Sequence, residues 1–320
     1  MLDIIEYIKL IRPQQYYKNF LIFLGLIFSA NVFEYTLYYQ LILGFIALCA
    51  ISSISYIIND WNDIEADRHH PEKQFRPLAS GKVTPIEALG LIGFLAILIL
   101  IMIFLLPISE KDRVLFIVDI FAIFLTSQSY SFYFKNKAFY DVTFISLNYV
   151  WRAVAGVVVI SVVLSPWLFI LGYIFAMFLA LSKRKGDLFL LGEKAKEHKK
   201  VFEIYSEPLL DQLIVLVSGI MILSYSIYIV ESILDFSNGK GEFSKFENPY
   251  FMLLTIPLVT LIIMRLIYFQ VSGSEKIRKA ELLFFDKEIL LLGFIIAIMT
   301  MISLYWAEFN LDHLIESLYT

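Results

Sequence analysis

Long apolar runs alternate with short polar ones along the whole chain. Nine runs read as helices across a bilayer, at roughly 20–38, 41–58, 86–107, 114–132, 141–162, 166–182, 211–233, 249–270 and 288–307. A helix needs about 20 mostly apolar residues to cross the hydrocarbon. The pattern therefore predicts an all-α polytopic membrane protein of about nine transmembrane helices, a single domain over residues 1–320. The first run is the weakest, because Asn31 and Glu34 fall inside it.

Composition agrees with this reading. The chain is 59% hydrophobic and 18% charged, with mean hydropathy +0.74, against about 45–50% apolar and about 25% charged for a soluble domain. The net charge of -4 is weak and gives no reason to expect nucleic acid as a partner. The lone Cys49 lies inside an apolar run, so there is no disulfide framework and no cysteine metal site. Asp3, Glu6, Lys9 and Arg12 make an amphipathic start, which reads as mature chain rather than a cleaved signal peptide.

The placement of charge sets an expected orientation. With the N-terminus inside, 20 of the 26 Lys and Arg fall on cytoplasmic segments and four (Lys111, Arg113, Lys240 and Lys245) on outside loops. That bias is the one expected of an N-in, C-out inner-membrane protein. Arg152 and Arg265 lie within spans.

The polar segment after the second run is dense in charge. Asn59, Asp60, Asp63 and Asp67 form N-D-x-x-D-x-x-x-D, followed by Arg68, Lys73, Arg76 and Lys82. On a continuous helix, positions 60, 63 and 67 share one face. Three carboxylates there repel unless a cation sits among them, and Mg²⁺ commonly takes one or two carboxylates plus phosphate oxygens. The segment therefore reads as a cradle for Mg²⁺ and a diphosphate; the bland alternative is a solvated helix end whose acids neutralise nearby bases. An EF-hand is excluded, because glycine is missing at the sixth loop position. His69 and His70 lack a second pair at zinc spacing. The stretch from Lys194 to Lys200 suits contact with anionic lipid.

These residues, with the D-R-x-H-P-x-K-x-x-R-P-L-A-S-G-x-V extension from Asp67 to Val83, resemble the UbiA superfamily of intramembrane prenyltransferases. Further stretches are similar to its decaprenyl-phosphate phosphoribosyltransferase branch. They are Arg12-Pro13 through Lys18-Asn19, Tyr130 through Lys135, Asp141-Val142, Trp151-Arg152-Ala153, and Ala180 through Arg184 with Asp187 standing where that branch has Glu. The second acidic motif of the aromatic prenyltransferases is replaced by the mostly basic stretch Lys183-Arg184-Lys185-Gly186-Asp187. A basic loop there suits substrates carrying further phosphates.

The resemblance implies Mg²⁺-dependent transfer of 5-phosphoribose from phosphoribosyl diphosphate to a polyprenyl phosphate. Asp60, Asp63 and Asp67, with Asn59, are the expected metal and catalytic set. Lys18, Asn19, Arg68, Lys73, Arg76, Tyr130, Lys135, Asp141, Arg152, Lys183 and Arg184 are the expected substrate contacts. A homo-oligomer is compatible with this reading. Arg152 is too deep to stand alone, so a phosphate or a carboxylate on a neighbouring helix is expected beside it. Arg265 lies near a helix end and is expected to snorkel. The rivals are an aromatic-acceptor prenyltransferase and a non-catalytic lipid transporter.

Overall fold

The computed structural model describes residues 4–192, 195, 200–239, 246–272 and 286–307. The described residues contain no strand, and eight helices are long and apolar enough to cross a membrane. The chain is a polytopic helical membrane protein. They gather into two compact units: residues 1–27, 31–135 and 147–164 in one, and 28–30, 136–146 and 165–320 in the other.

Unit 1 begins with a short amphipathic helix α1 (Ile4–Ile11). A 3-10 segment, Pro13–Phe23, then runs into α2 (Leu24–Phe28). The first expected span is corrected here, since residues 20–38 do not form one helix. Ala30 takes a positive φ of 56°. Asn31 donates its N–H to the Leu26 carbonyl, Glu34 donates to the Asn31 carbonyl, and α3 starts only at Tyr35. The two polar residues that weakened the run are the ones that make this turn. Because a 3-10 helix rises about 2.0 Å per residue against 1.5 Å in an α-helix, Pro13–Phe28 still extends about 30 Å, near the hydrocarbon thickness.

The central helix of unit 1 is α3 (Tyr35–Asn62), whose apolar window is 72% buried. It packs on α1, on the 3-10 segment, and on α5 (Pro85–Leu105) and α6 (Glu110–Ser129). Leu41, Leu48, Ile57, Phe116 and Ile123 fill the core between them. Thr84 caps α5 through a capping box with Glu87, and Ser109 caps α6. Each cap side chain accepts one of the N–H groups left open in the first turn of its helix. A short α4 (Ile64–Arg68) follows α3, and a π turn over Tyr130–Phe134 extends α6. Helix α7 (Tyr140–Val159) lies in unit 1 from Leu147 onward. It meets the 3-10 segment backbone to backbone. A Cβ on Gly156 would overlap the Ile22 carbonyl, and one on Gly25 would stand 3.0 Å from the Val157 nitrogen. Only small residues permit such an approach.

Unit 2 holds the start of α7, then α8 (Pro166–Leu191), α9 (Glu207–Ser237), α10 (Thr255–Val271) and α11 (Lys287–Leu304). Neighbours pack in chain order, α8 on α9, α9 on α10 and α10 on α11. Phe178, Phe202, Tyr205, Leu210 and Ile214 are its core. Helix α8 runs about two turns past the expected end at 182, so Lys183 to Asp187 are helical rather than loop. Helix α9 likewise extends through Asp235 to Ser237, and Gly239 turns the chain with φ 64°. Lys194, Lys196, Lys199, Lys240, Lys245, Lys276, Arg278 and Lys279 lie outside the described residues.

Candidate active site

The acidic segment sits where α3 gives way to α4. One continuous helix was expected through all three aspartates, but it breaks at Asp63, whose φ of -94° and ψ of 6° fall in the bridge region. Asp63 still accepts an N–H bond from Asp67 at 2.7 Å, so the break is a kink. The kink divides the acids. Asp60 and Asp67 are buried, at 3% and 2% exposure, while Asp63 remains half exposed.

The buried pair is neutralised by bases. Arg76 Nη1 donates to Asp60 Oδ1 at 3.0 Å and to Asp67 Oδ2 at 2.7 Å. Arg12 Nη2 donates to the same Asp60 oxygen at 2.5 Å, and Lys73 Nζ stands 3.9 Å from Asp67. Lys135, just past the π turn of α6, lies 3.7 Å from Asp63. The ends of α3 and α6 and the loop to α5 thus meet at one end of unit 1. Asn59 Oδ1 is buried beside this cluster with no hydrogen-bond partner.

Arg12 belongs to this site; the sequence placed it in the family-like Arg12-Pro13 opening but not among the expected metal or substrate contacts. Its φ of 54° and ψ of 58° are left-handed, a costly state for a non-glycine residue. The R-P dipeptide was a signal for it, because Pro13 disfavours the right-handed helical state at the preceding residue. The Arg12 guanidinium also lies over the Tyr56 ring, 5.3 Å from its centroid.

Three other expected contacts have surroundings of their own. Arg68 is exposed and pairs with Glu65 at 2.9 Å. Lys18 lies over the Tyr17 ring at 5.8 Å, and Tyr130 opens the π turn. Asn19 reaches inward instead, to Cys49 and Arg152. Arg152 is buried at 5% exposure; its hydrogen bonds go to neutral oxygens, while the carboxylate of the buried Asp119, on α6, is close enough to act on its charge. Arg152 donates to Asn19 Oδ1 at 2.8 Å, to the Asn148 carbonyl at 2.6 Å, to Asn148 Oδ1, and to Ser52 Oγ at 3.3 Å. The guanidinium fork meets acceptors on three segments, which spreads its charge without an ion pair.

In unit 2, Asp141 and Arg184 bury one another, at 0% and 2% side-chain exposure. Arg184 Nε donates to Asp141 Oδ2 at 2.7 Å, and the Tyr205 hydroxyl donates to Asp141 Oδ1 at 2.8 Å. The Phe139 N–H donates to that same hydroxyl at 2.7 Å. Burial, and Asp141 after it, push the Tyr205 phenol above its usual pKa. The network ties the start of α7 to the end of α8 and to the turn before α9. Lys185 is buried and pairs with Asp211. Of the basic stretch 183–185, only Lys183 stays exposed. Two of its three charges are thus consumed by internal aspartates, and the stretch carries less weight for phosphate binding than its composition implied. Arg265 does not snorkel freely; it pairs with Asp286 at 2.6 Å and with Glu288.

The described residues hold no group of three or more Asp, Glu, His or Cys arranged around a common metal position. The donor chemistry nonetheless suits Mg²⁺. Two buried carboxylates already converge on one cationic nitrogen, and an unsatisfied amide oxygen lies beside them.

Similarity to known proteins bears on the family and the fold. The profile of the UbiA prenyltransferase family matches residues 19–285. A decaprenyl-phosphate phosphoribosyltransferase of Mycolicibacterium smegmatis is 30% identical over 226 residues, 69% of this chain and 69% of that one. One of Corynebacterium glutamicum is 27% identical over 223 residues, 69% of this chain and 66% of that one. Among solved structures, a digeranylgeranylglyceryl phosphate synthase superposes with a TM-score of 0.63 at 16% identity, over 95% of this chain and 99% of that one. A UbiA homolog from Archaeoglobus fulgidus bound to GPP and Mg²⁺ gives 0.61 at 16% identity, over 93% and 99%. At such identity the structures speak for the fold alone, whereas the family profile covers most of the sequence and both units. The chain belongs to the UbiA prenyltransferase family.

Proposed function

We propose that the protein transfers 5-phosphoribose from phosphoribosyl diphosphate to a polyprenyl phosphate, with Mg²⁺ as cofactor, at a site facing the cytoplasm of an inner membrane. The observation that carries this is the cluster of Asp60, Asp67, Arg12, Arg76 and Lys73 at one end of unit 1. It offers both carboxylates for a metal and guanidinium groups for phosphates. The phosphoribosyltransferase relatives support the choice of substrates. The excess of Lys and Arg on the N-terminal side supports the orientation. A single domain is supported by the family match, which runs through both units.

Asp60, Asp63 and Asp67, with Asn59, would hold Mg²⁺, which supplies positive charge for the departing diphosphate. Arg12, Arg76 and Lys73 would bind diphosphate oxygens, and Lys135 would face the same end through Asp63. In the reaction the ribose C1–O bond to diphosphate breaks, and its electron pair leaves with the diphosphate. A lipid phosphate oxygen forms the new bond to C1 from the opposite face. That nucleophile is already ionised at neutral pH, so no general base is required. The rate then rests on positioning and charge stabilisation.

The test supplies purified protein with labelled phosphoribosyl diphosphate, polyprenyl phosphate and Mg²⁺, and follows label into the lipid phase. Lipid-linked label supports the proposal. Its absence, with prenylation of an aromatic acid from prenyl diphosphate instead, transfers the protein to the aromatic-acceptor reading.

A further inference from the structure

We propose that Arg12 and Arg76 are placeholders for the divalent cation. They hold the buried carboxylates while the site is empty, and they exchange onto the diphosphate when metal and diphosphate arrive together. The inference rests on the Mg²⁺-diphosphate reading and deepens it by assigning an order of binding.

Asp60 and Asp67 belong to different helices, on either side of the break at Asp63. Backbone bonds from Asp63 to Asn59 and from Asp67 to Asp63 carry the chain through the kink, but two buried carboxylates there still repel. Arg76 joins them with one nitrogen, 3.0 Å from one and 2.7 Å from the other. The two carboxylates that Arg76 now joins are the ones that would hold a divalent cation. Arg76 therefore preserves the spacing of the acids when no metal is present.

Both placeholders are built to leave. Arg76 lies outside any helix, with extended backbone (φ -61°, ψ 145°) after the short 3-10 turn Lys73–Phe75. Its side chain is 28% exposed and that of Arg12 is 24% exposed, so both have a route to solvent or to a ligand. Arg12 is held on Asp60 in a left-handed backbone state that a non-glycine residue resists. The Tyr56 ring already lies beneath the guanidinium and can keep it when the carboxylate is taken.

Charge then dictates the order. Two guanidiniums and Lys73 already compensate Asp60 and Asp67. A bare divalent cation entering this cluster meets like charge and must displace bound bases into a region with no new anion to receive them. A diphosphate brings that anion. The carboxylates pass to the metal and the arginines pass to the diphosphate, so every charge keeps a partner.

The test is metal binding by the full chain in lipid nanodiscs, using Mn²⁺ as the probe with electron paramagnetic resonance detection and inorganic diphosphate as the second ligand. Wild-type protein is expected to bind Mn²⁺ at least about tenfold more tightly with diphosphate than without it. Arg76→Gln is expected to tighten binding of Mn²⁺ alone by about tenfold and to shrink the diphosphate enhancement. Arg12→Gln, which leaves the Arg76 bridge in place, should move both in the same directions by less, and it stands in if the Arg76 variant does not fold. The placeholder idea is overturned if wild type binds the metal equally well alone, or if both variants leave metal-alone binding unchanged or weaker. If wild type binds no Mn²⁺ even with diphosphate, the metal-diphosphate reading itself fails along with it.

Discussion

Replacing Asp141 by alanine removes the anion at the centre of the buried network in unit 2. The lost contacts are the Arg184 bond at 2.7 Å and the Tyr205 bond at 2.8 Å. Arg184, 2% exposed, then keeps Asp187 at 3.7 Å as an ion-pair partner but loses its shorter one. Breaking one side of a buried ion pair costs about 3–5 kcal/mol, because the surviving charge stays desolvated. At about 2–4 °C per kcal/mol for a body of this size, the melting temperature should fall by on the order of 10 °C. Thermal unfolding in detergent micelles, followed by circular dichroism, measures it. The double variant Asp141→Leu with Arg184→Leu removes both charges and should recover most of the loss. Tyr205→Phe removes one hydrogen bond and leaves the Phe139 N–H without its acceptor, so a loss of about 1–3 kcal/mol is expected. A single Asp141→Ala variant that melts within about 2 °C of wild type refutes the reasoning. So does a double variant that is worse than either single one. In either case the pair would not be the strut that its burial implies, and a direct role at substrate would regain force.

Gly156→Ala should destabilise by about 2 kcal/mol or more, since its Cβ meets the Ile22 backbone rather than a movable side chain, and unfolding in micelles reads it. Arg152→Lys should cost about 1–3 kcal/mol in the same assay, because an ammonium cannot reach Asn19, Asn148 and Ser52 at once. Glu6 accepts hydrogen bonds from Lys9 and Lys82, which hold its carboxyl below the ordinary value of 4.5. The stability this adds is complete above pH 4.5 and disappears as the pH falls through the lower folded value, so a pH series of melting curves should show a decline that Glu6→Gln flattens.

Much of this protein was legible in the order of its residues. Hydrophobic length alone specified the eight described spans, because a bilayer core admits little besides helices of that length. The acids at 59–67, the bases at 73 and 76, and Lys135 were readable as one site, and the folded chain brings most of them together. Their spacing could not show that the helix kinks at Asp63, nor that the kink buries Asp60 and Asp67 while leaving Asp63 half exposed. Arg12 was noted in the Arg12-Pro13 stretch, but its contact with Asp60 was not legible, because it depends on a left-handed backbone and on a partner 48 positions away. Arg152, Arg184 and Lys185 looked alike as cations on a string. Folding gave one a cage of neutral oxygens and the other two internal aspartates. The first span failed because local polar residues at 31 and 34 outweighed the apolar run around them. Periodicity reports which faces avoid water, a local property carried by each segment. The partner of a buried charge is chosen by whichever segment packs against it, and only the tertiary structure decides that.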